Sequence, residues 1–151
     1  LVPSTEAYLI RGAGYTPLRT PHGKVGVMIC LESVHPESGR TLVRRGAELL
    51  VVMSNDAGFG RSPITEHMTR RATVRAVENG RWLIRVGQAG ITTLIDPRGE
   101  RHGQMGLFVP GLLEGVVQRR SDVPFATAHP DWVIWLVLGG LLFAFSRRRS
   151  A

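Results

Sequence analysis

Cys30, the only cysteine among 151 residues, closes the apolar run Val25–Ile29 and is followed by Leu31, Glu32 and a helix start at Pro36 and Glu37. A thiol at a strand-to-helix turn can stand at the rim of a sheet, beside backbone N–H groups that favour the attacking thiolate. The same residue at the end of a core strand is equally a small buried hydrophobe. The segment by itself leaves both readings open. A nucleophile also needs a proton acceptor and a stabiliser for the oxyanion its attack creates. Glu32, Glu6 and Asp56 are the candidate acidic partners, and Lys24, the sole lysine, is the candidate cation. Lys24 lies six residues upstream on the same strand, roughly 20 Å from Cys30, too far to share a site. The five histidines (His22, His35, His67, His102, His129) show no metal-ligand spacing. They are expected to be structural or solvent-facing, with no metal bound.

The elements that must position Cys30 follow from periodicity and punctuation. Residues 1–22 carry five proline and glycine interruptions and are expected to form an extended arm or loop. Lys24–Ile29 is apolar on both faces, as for a central strand covered on both sides. Pro36 suits a first helical position and Glu37 complements the positive end of the helix dipole, so a helix is expected from there to Gly46. Glu48–Met53 is a second buried strand, giving the βαβ rhythm of a parallel sheet. The loop Ser54–Gly60 then falls at the carboxyl end of a strand, where such sheets bind ligands. A helix capped by Ser62, with Ile64, Met68, Ala72 and Ala76 facing the core and arginines outward, is expected to end at Asn79-Gly80. Further strands are expected at 82–86, 91–95 and 112–117, with a type I turn at Asp96–Gly99.

A hydrophobic content of 43% with 21% charged residues excludes disorder as the main state. The length suits one domain with a substantial core. The net charge of +7 comes from dispersed arginines without interleaved aromatic residues, so no nucleic-acid partner is expected. One cysteine forms no internal disulfide, which leaves the redox compartment open. Leu1-Val2-Pro3 is neither an initiator methionine nor a charged leader, and the chain is expected to be the tail of a longer polypeptide.

From Trp132 to Phe145 there is no charge, and Arg147–Arg149 follow directly. Fourteen helical residues reach roughly 21 Å, short of a ~30 Å hydrocarbon core. The tryptophans at one end and the arginines at the other nevertheless match an anchored span with its arginines in the cytoplasm. The expected organisation is a domain over 1–122, a linker over 123–131, a transmembrane helix over 132–146 and a basic cytoplasmic tail over 147–151.

The segments Val25–Glu32, Gly46–Val52, Ser54-Asn55-Asp56 and Arg75–Arg81 together resemble the nitrilase, or carbon-nitrogen hydrolase, superfamily. More narrowly they resemble its apolipoprotein N-acyltransferase branch. Leu1–Glu6 is similar to that branch's Leu-Val-Pro-Phe-Gly-Glu segment, and the apolar tail to its last membrane helix. Two positions depart from the pattern. Gly58 stands where the loop Ser-Asn-Asp-Ala-Trp-Phe-Gly has tryptophan, and Gln88-Ala89 stand where Asn-Thr is more usual.

The resemblance implies an α/β fold: part of an α-β-β-α sandwich followed by one C-terminal transmembrane helix. It implies Cys30 as the nucleophile of a Glu-Lys-Cys triad, with Glu6 and Glu32 as further acidic site residues and Asn55, Asp56 and Phe59 on the substrate side. The family's lysine and general-base glutamate would precede Leu1. The implied reaction needs no cofactor. It moves a fatty acyl chain from a phospholipid, through a Cys thioester, to the N-terminal amine of a diacylglyceryl-cysteine lipoprotein. The implied place is the bacterial inner membrane, with the catalytic domain in the periplasm. A membrane-anchored amidase and an inactive membrane-anchored scaffold remain alternatives.

Overall fold

The computed structural model describes residues 12–149. Six strands form one mixed sheet: β1 (Leu18–Thr20), β2 (Gly23–Ile29), β3 (Leu49–Asn55), β4 (Leu83–Gln88), β5 (Thr92–Ile95) and β6 (Arg101–Met105), in spatial order 1-2-3-4-5-6. β2, β3 and β4 are parallel, and the remaining neighbours pair antiparallel. The parallel pairs are joined by α1 (Pro36–Arg44) and α2 (Ile64–Asn79). Right-handed crossovers that always step in the same direction place both helices on one face of the sheet.

That covered face is the core: Met28, Leu50, Val52, Leu83 and Ile95 from the strands meet Leu42, Val43, Ala72 and Ala76 from the helices. Gly26 marks the closest approach, since a Cβ there would lie 2.9 Å from Leu50 Cδ2 and 3.0 Å from Leu42 Cβ. The opposite face is also apolar but has no helix over it. Ile29 is 64% exposed and Met53 54%, while Val25, Val27, Leu49, Val51 and Ile84 are half-buried. The two-sided coverage expected for β2 is therefore absent among the described residues.

Several local expectations differ from what forms. Leu18–Thr20, expected within a loop, pairs with β2 as a hairpin edge, held at the turn by Thr20 Oγ1 donating to Gly23 O at 2.7 Å. Residues 112–117 form no strand, and Leu112 and Val116 are exposed. In α2 the buried stripe is Thr65, Thr69, Ala72, Arg75, Ala76 and Asn79, turned from the expected one. Ile64 is exposed, and two of the inward polar residues are satisfied by their own helix: Thr69 Oγ1 donates to Thr65 O and Asn79 Nδ2 to Arg75 O. Ser62 makes no capping bond; Pro63 occupies the N-cap, and Gly80 closes the helix at φ +58°.

The expected linker includes a short helix, α3 (Phe125–Ala128), docked by Thr127 Oγ1 donating to Glu78 O at 2.8 Å. Arg81, fully buried, also holds this tail, with Nη2 donating to Asp122 O at 2.5 Å and Nε to Ala47 O at 2.9 Å. α4 (Trp132–Arg149) then projects with Ile134, Trp135, Leu136 and Leu142 exposed, Trp135 at 71%. Among the described residues no helix is long and apolar enough to cross a membrane, because the last turn of α4 is arginine. The expected transmembrane helix forms as a helix without reaching that length.

Candidate functional site

The apolar β2 ends at Ile29, and the chain reverses at once into a 3₁₀ turn over Cys30–Val34. Cys30 takes φ +52°, a left-handed conformation that costs a non-glycine residue about 1–3 kcal/mol. The turn is held by side chains on both sides of the thiol: Glu32 Oε2 accepts the Ile29 N–H at 2.7 Å, and Ser33 Oγ donates to Cys30 O at 3.0 Å. Cys30 is a free cysteine, partly exposed as a residue, at the carboxyl edge of the parallel strands. It is not sealed in the core. Glu32 thus stands beside it as a backbone clamp. Tyr15, which the sequence did not single out, packs against the core, and burial together with the nearby Glu32 charge pushes its phenol pKa up.

One residue past the last β2–β3 pair, Ile29 with Met53, the ends of β3 and β4 continue the rim. Asn55 is exposed, and its Oδ1 accepts the Ala57 N–H at 3.1 Å. Met53, Ser54, Asn55, Val86 and Gln88 line a hollow of about 250 Å³ on the helix-free side. Phe59 is half-buried in the 3₁₀ turn Ala57–Phe59.

Asp56 is fully buried on the helix side and does not face that hollow. It accepts from Arg85 Nη2 at 2.6 Å and from Ser54 Oγ at 2.5 Å. The sequence points to Arg85 only as an unexplained charge inside the apolar strand Trp82–Val86. Gly58, at the position of the family's tryptophan, has open space around its Cα.

Glu6 lies outside the described residues. Lys24 sits at the far end of β2, beside Gly46, as the strand length requires. The β5–β6 hairpin brings Asp96, Glu100 and His102 together, with ligand atoms within 4.8 Å of one another, a grouping that spacing along the chain did not reveal. Asp96 is already engaged there: Oδ1 accepts the Arg98 and Glu100 N–H groups, and Oδ2 contacts His102 Nε2 at 3.0 Å.

The carbon-nitrogen hydrolase family model matches residues 2–122. Among curated proteins the chain is 37% identical over 142 residues to the apolipoprotein N-acyltransferase of Geobacter metallireducens, covering 93% of this chain and 27% of that protein. The enzyme of the same name from Pseudomonas aeruginosa is 38% identical over 148 residues, covering 91% and 29%. The chain therefore spans under a third of the relatives it matches. In fold it is similar to a nitrilase-superfamily amidase from Nesterenkonia, with TM-score 0.59 and 23% identity over 82% of this chain and 50% of that one. A carbon-nitrogen hydrolase from Helicobacter pylori superposes with TM-score 0.56 and 21% identity over 64% and 41%. By the family match over residues 2–122 this chain belongs to the carbon-nitrogen hydrolase family.

Proposed function

We propose that this chain is the carboxyl-terminal part of an apolipoprotein N-acyltransferase, with Cys30 as its acyl-carrying nucleophile. The observation that carries this is a partly exposed free cysteine on a left-handed turn at the strand ends. The 37% identity to the Geobacter metallireducens enzyme supports it.

In the proposed reaction the Cys30 thiolate attacks the ester carbonyl of a phospholipid. The ester C–O bond breaks, the lysophospholipid oxygen leaves and takes a proton, and a thioester remains. The N-terminal amine of a diacylglyceryl-cysteine lipoprotein then attacks the thioester. The C–S bond breaks, the thiolate returns, and the nitrogen releases a proton, matching the one the lysophospholipid took up, as the amide forms. Glu32 holds the turn that aims the sulfur, and Glu6 is a second acidic group of the site. Asn55 and Phe59 face substrate, and Asp56 braces their loop from beneath.

Residues 1–122 form the catalytic part. α4 seats in the inner membrane, the domain on the periplasmic side and Arg147–Arg149 on the cytoplasmic side. A row of exposed Trp, Leu, Val and Phe side chains supports a lipid environment for α4.

Cys30→Ala in the polypeptide that carries this chain removes the acyl-thioester formed from a labelled phospholipid; full retention overturns the assignment. The fold likeness to amidases favours a second reading, hydrolysis of a small amide. Ammonia release from amides without acyl transfer from phospholipid would establish that reading instead.

A further inference from the structure

We propose that Arg85 is a positioning residue of this site. Through its buried ion pair with Asp56 it locks the loop after β3 and the turn after β4 into one wall beside Cys30. The inference rests on the proposed site and goes beyond it, since Arg85 touches neither the thiol nor the open hollow.

Arg85 and Asp56 are both fully buried, and Asp56 is the only charge partner of Arg85 among the described residues. An uncompensated charge in such a place is strongly unfavourable, so each group holds the other. Asp56 is in turn the node of its loop. Its carboxylate takes the Ser54 hydroxyl, its N–H donates to Gln88 O at 3.0 Å, and its carbonyl accepts the Phe59 N–H at 3.0 Å.

The turn after β4 closes against the same carboxylate. Ala89 adopts φ +58°, and Gly90 is buried where a Cβ would collide with Asp56 Oδ2. Ala89 O accepts the Phe108 N–H at 3.3 Å, and Arg61 from the first loop stands 5.4 Å over the Phe108 ring. Loop, turn and rim segment therefore meet around one buried ion pair, with backbone bonds and the Arg61–Phe108 contact beside it. The loop it braces bears Asn55 and Phe59, one strand away from Cys30.

Hydrogen exchange tests this in the polypeptide that carries the chain, independently of any activity. In Arg85→Met the amides of Asp56, Phe59 and Gly90 exchange roughly tenfold faster or more, while those of Leu50 and Val52 keep their protection. Unchanged exchange, or a uniform rise across the sheet, overturns the proposal.

Two further variants separate positioning from simple burial of a lone charge. Asp56→Asn combined with Arg85→Met removes both charges, so thermal stability recovers while thioester formation from phospholipid stays down about 100-fold, the scale of a misplaced site. Cys30 alkylation by iodoacetamide holds its wild-type rate in that variant. Arg85→Lys, which keeps the charge, restores thioester formation to within about tenfold. Recovery of both stability and thioester formation in the doubly neutral variant overturns the proposal. A wild-type protein that forms no thioester from phospholipid refutes the acyl-transfer reading, and the exchange experiment then decides the role of Arg85.

Discussion

Cys30 is held in an unfavourable backbone conformation by its neighbours. The left-handed φ survives because Glu32 takes the preceding N–H and Ser33 takes the Cys30 carbonyl. Such strain persists where surrounding bonds over-determine it, and it commonly marks a working site. Removing the Glu32 acceptor leaves the Ile29 N–H without its charged partner. Glu32→Ala is expected to lower stability by about 1.5–3 kcal/mol, the worth of a hydrogen bond to a charged group. Glu32→Gln, which retains an oxygen acceptor, recovers most of that loss. Denaturant unfolding of both variants checks the difference, and equal losses would contradict the clamp.

Between elements, close approach and paired charge decide the packing. Gly26 lets α1 settle on β2, so Gly26→Ala places a methyl against Leu50, Ala47 and Leu42. Overpacking of that kind costs about 1–3 kcal/mol, readable as a lowered melting temperature. On the other helix, Glu66 ties α2 to β6 through Arg101 Nη2 at 2.9 Å. The Arg101 hydrogen bond, partly offset by burial and reinforced by Arg70, holds the Glu66 carboxyl below the usual glutamate value. A folded-state pKa below the unfolded one adds stability above the ordinary glutamate pKa of about 4.3, and that stability is lost as pH falls through the depressed value. Wild type and Glu66→Gln should therefore differ in melting temperature above about pH 4.5 and converge in stronger acid. A gap that persists unchanged into stronger acid would contradict this role for the tie.

At the scale of the whole molecule, one face of the sheet is finished and the other is not. Same-direction crossovers put α1 and α2 together, which leaves Ile29, Met53 and Val86 exposed on the far side. An apolar sheet face of this extent is stable only when covered. In the polypeptide that carries this chain, Met53→Glu is expected to prevent accumulation of folded protein, whereas a solvent-facing position would tolerate it within about 0.5 kcal/mol. The isolated segment is expected to lack a cooperative thermal transition. The root of α4 lies beside Arg44, at the Lys24 end of β2, so roughly 20 Å of strand separates it from Cys30. The thiol and the proposed membrane anchor stand at opposite ends of the sheet.

The sequence by itself determined what depends on neighbours along the chain. The alternation of apolar runs with glycine and proline stops placed β2, α1, β3, α2, β4 and β5 within a few residues, and a lone thiol after an apolar strand pointed to Cys30. The order of several short motifs was enough to reach the carbon-nitrogen hydrolase family. Only the tertiary structure decided what depends on distant partners. The inward Thr69 and Asn79 of α2 look outward by composition, yet they are buried with hydrogen bonds to their own helix backbone. Asp56, expected to face substrate, turns away because Arg85, 29 residues later, meets it across two strands. Leu112–Val117 reads as a strand, yet a strand also needs an edge to pair with, and pairing is settled by the assembled sheet and by no single segment.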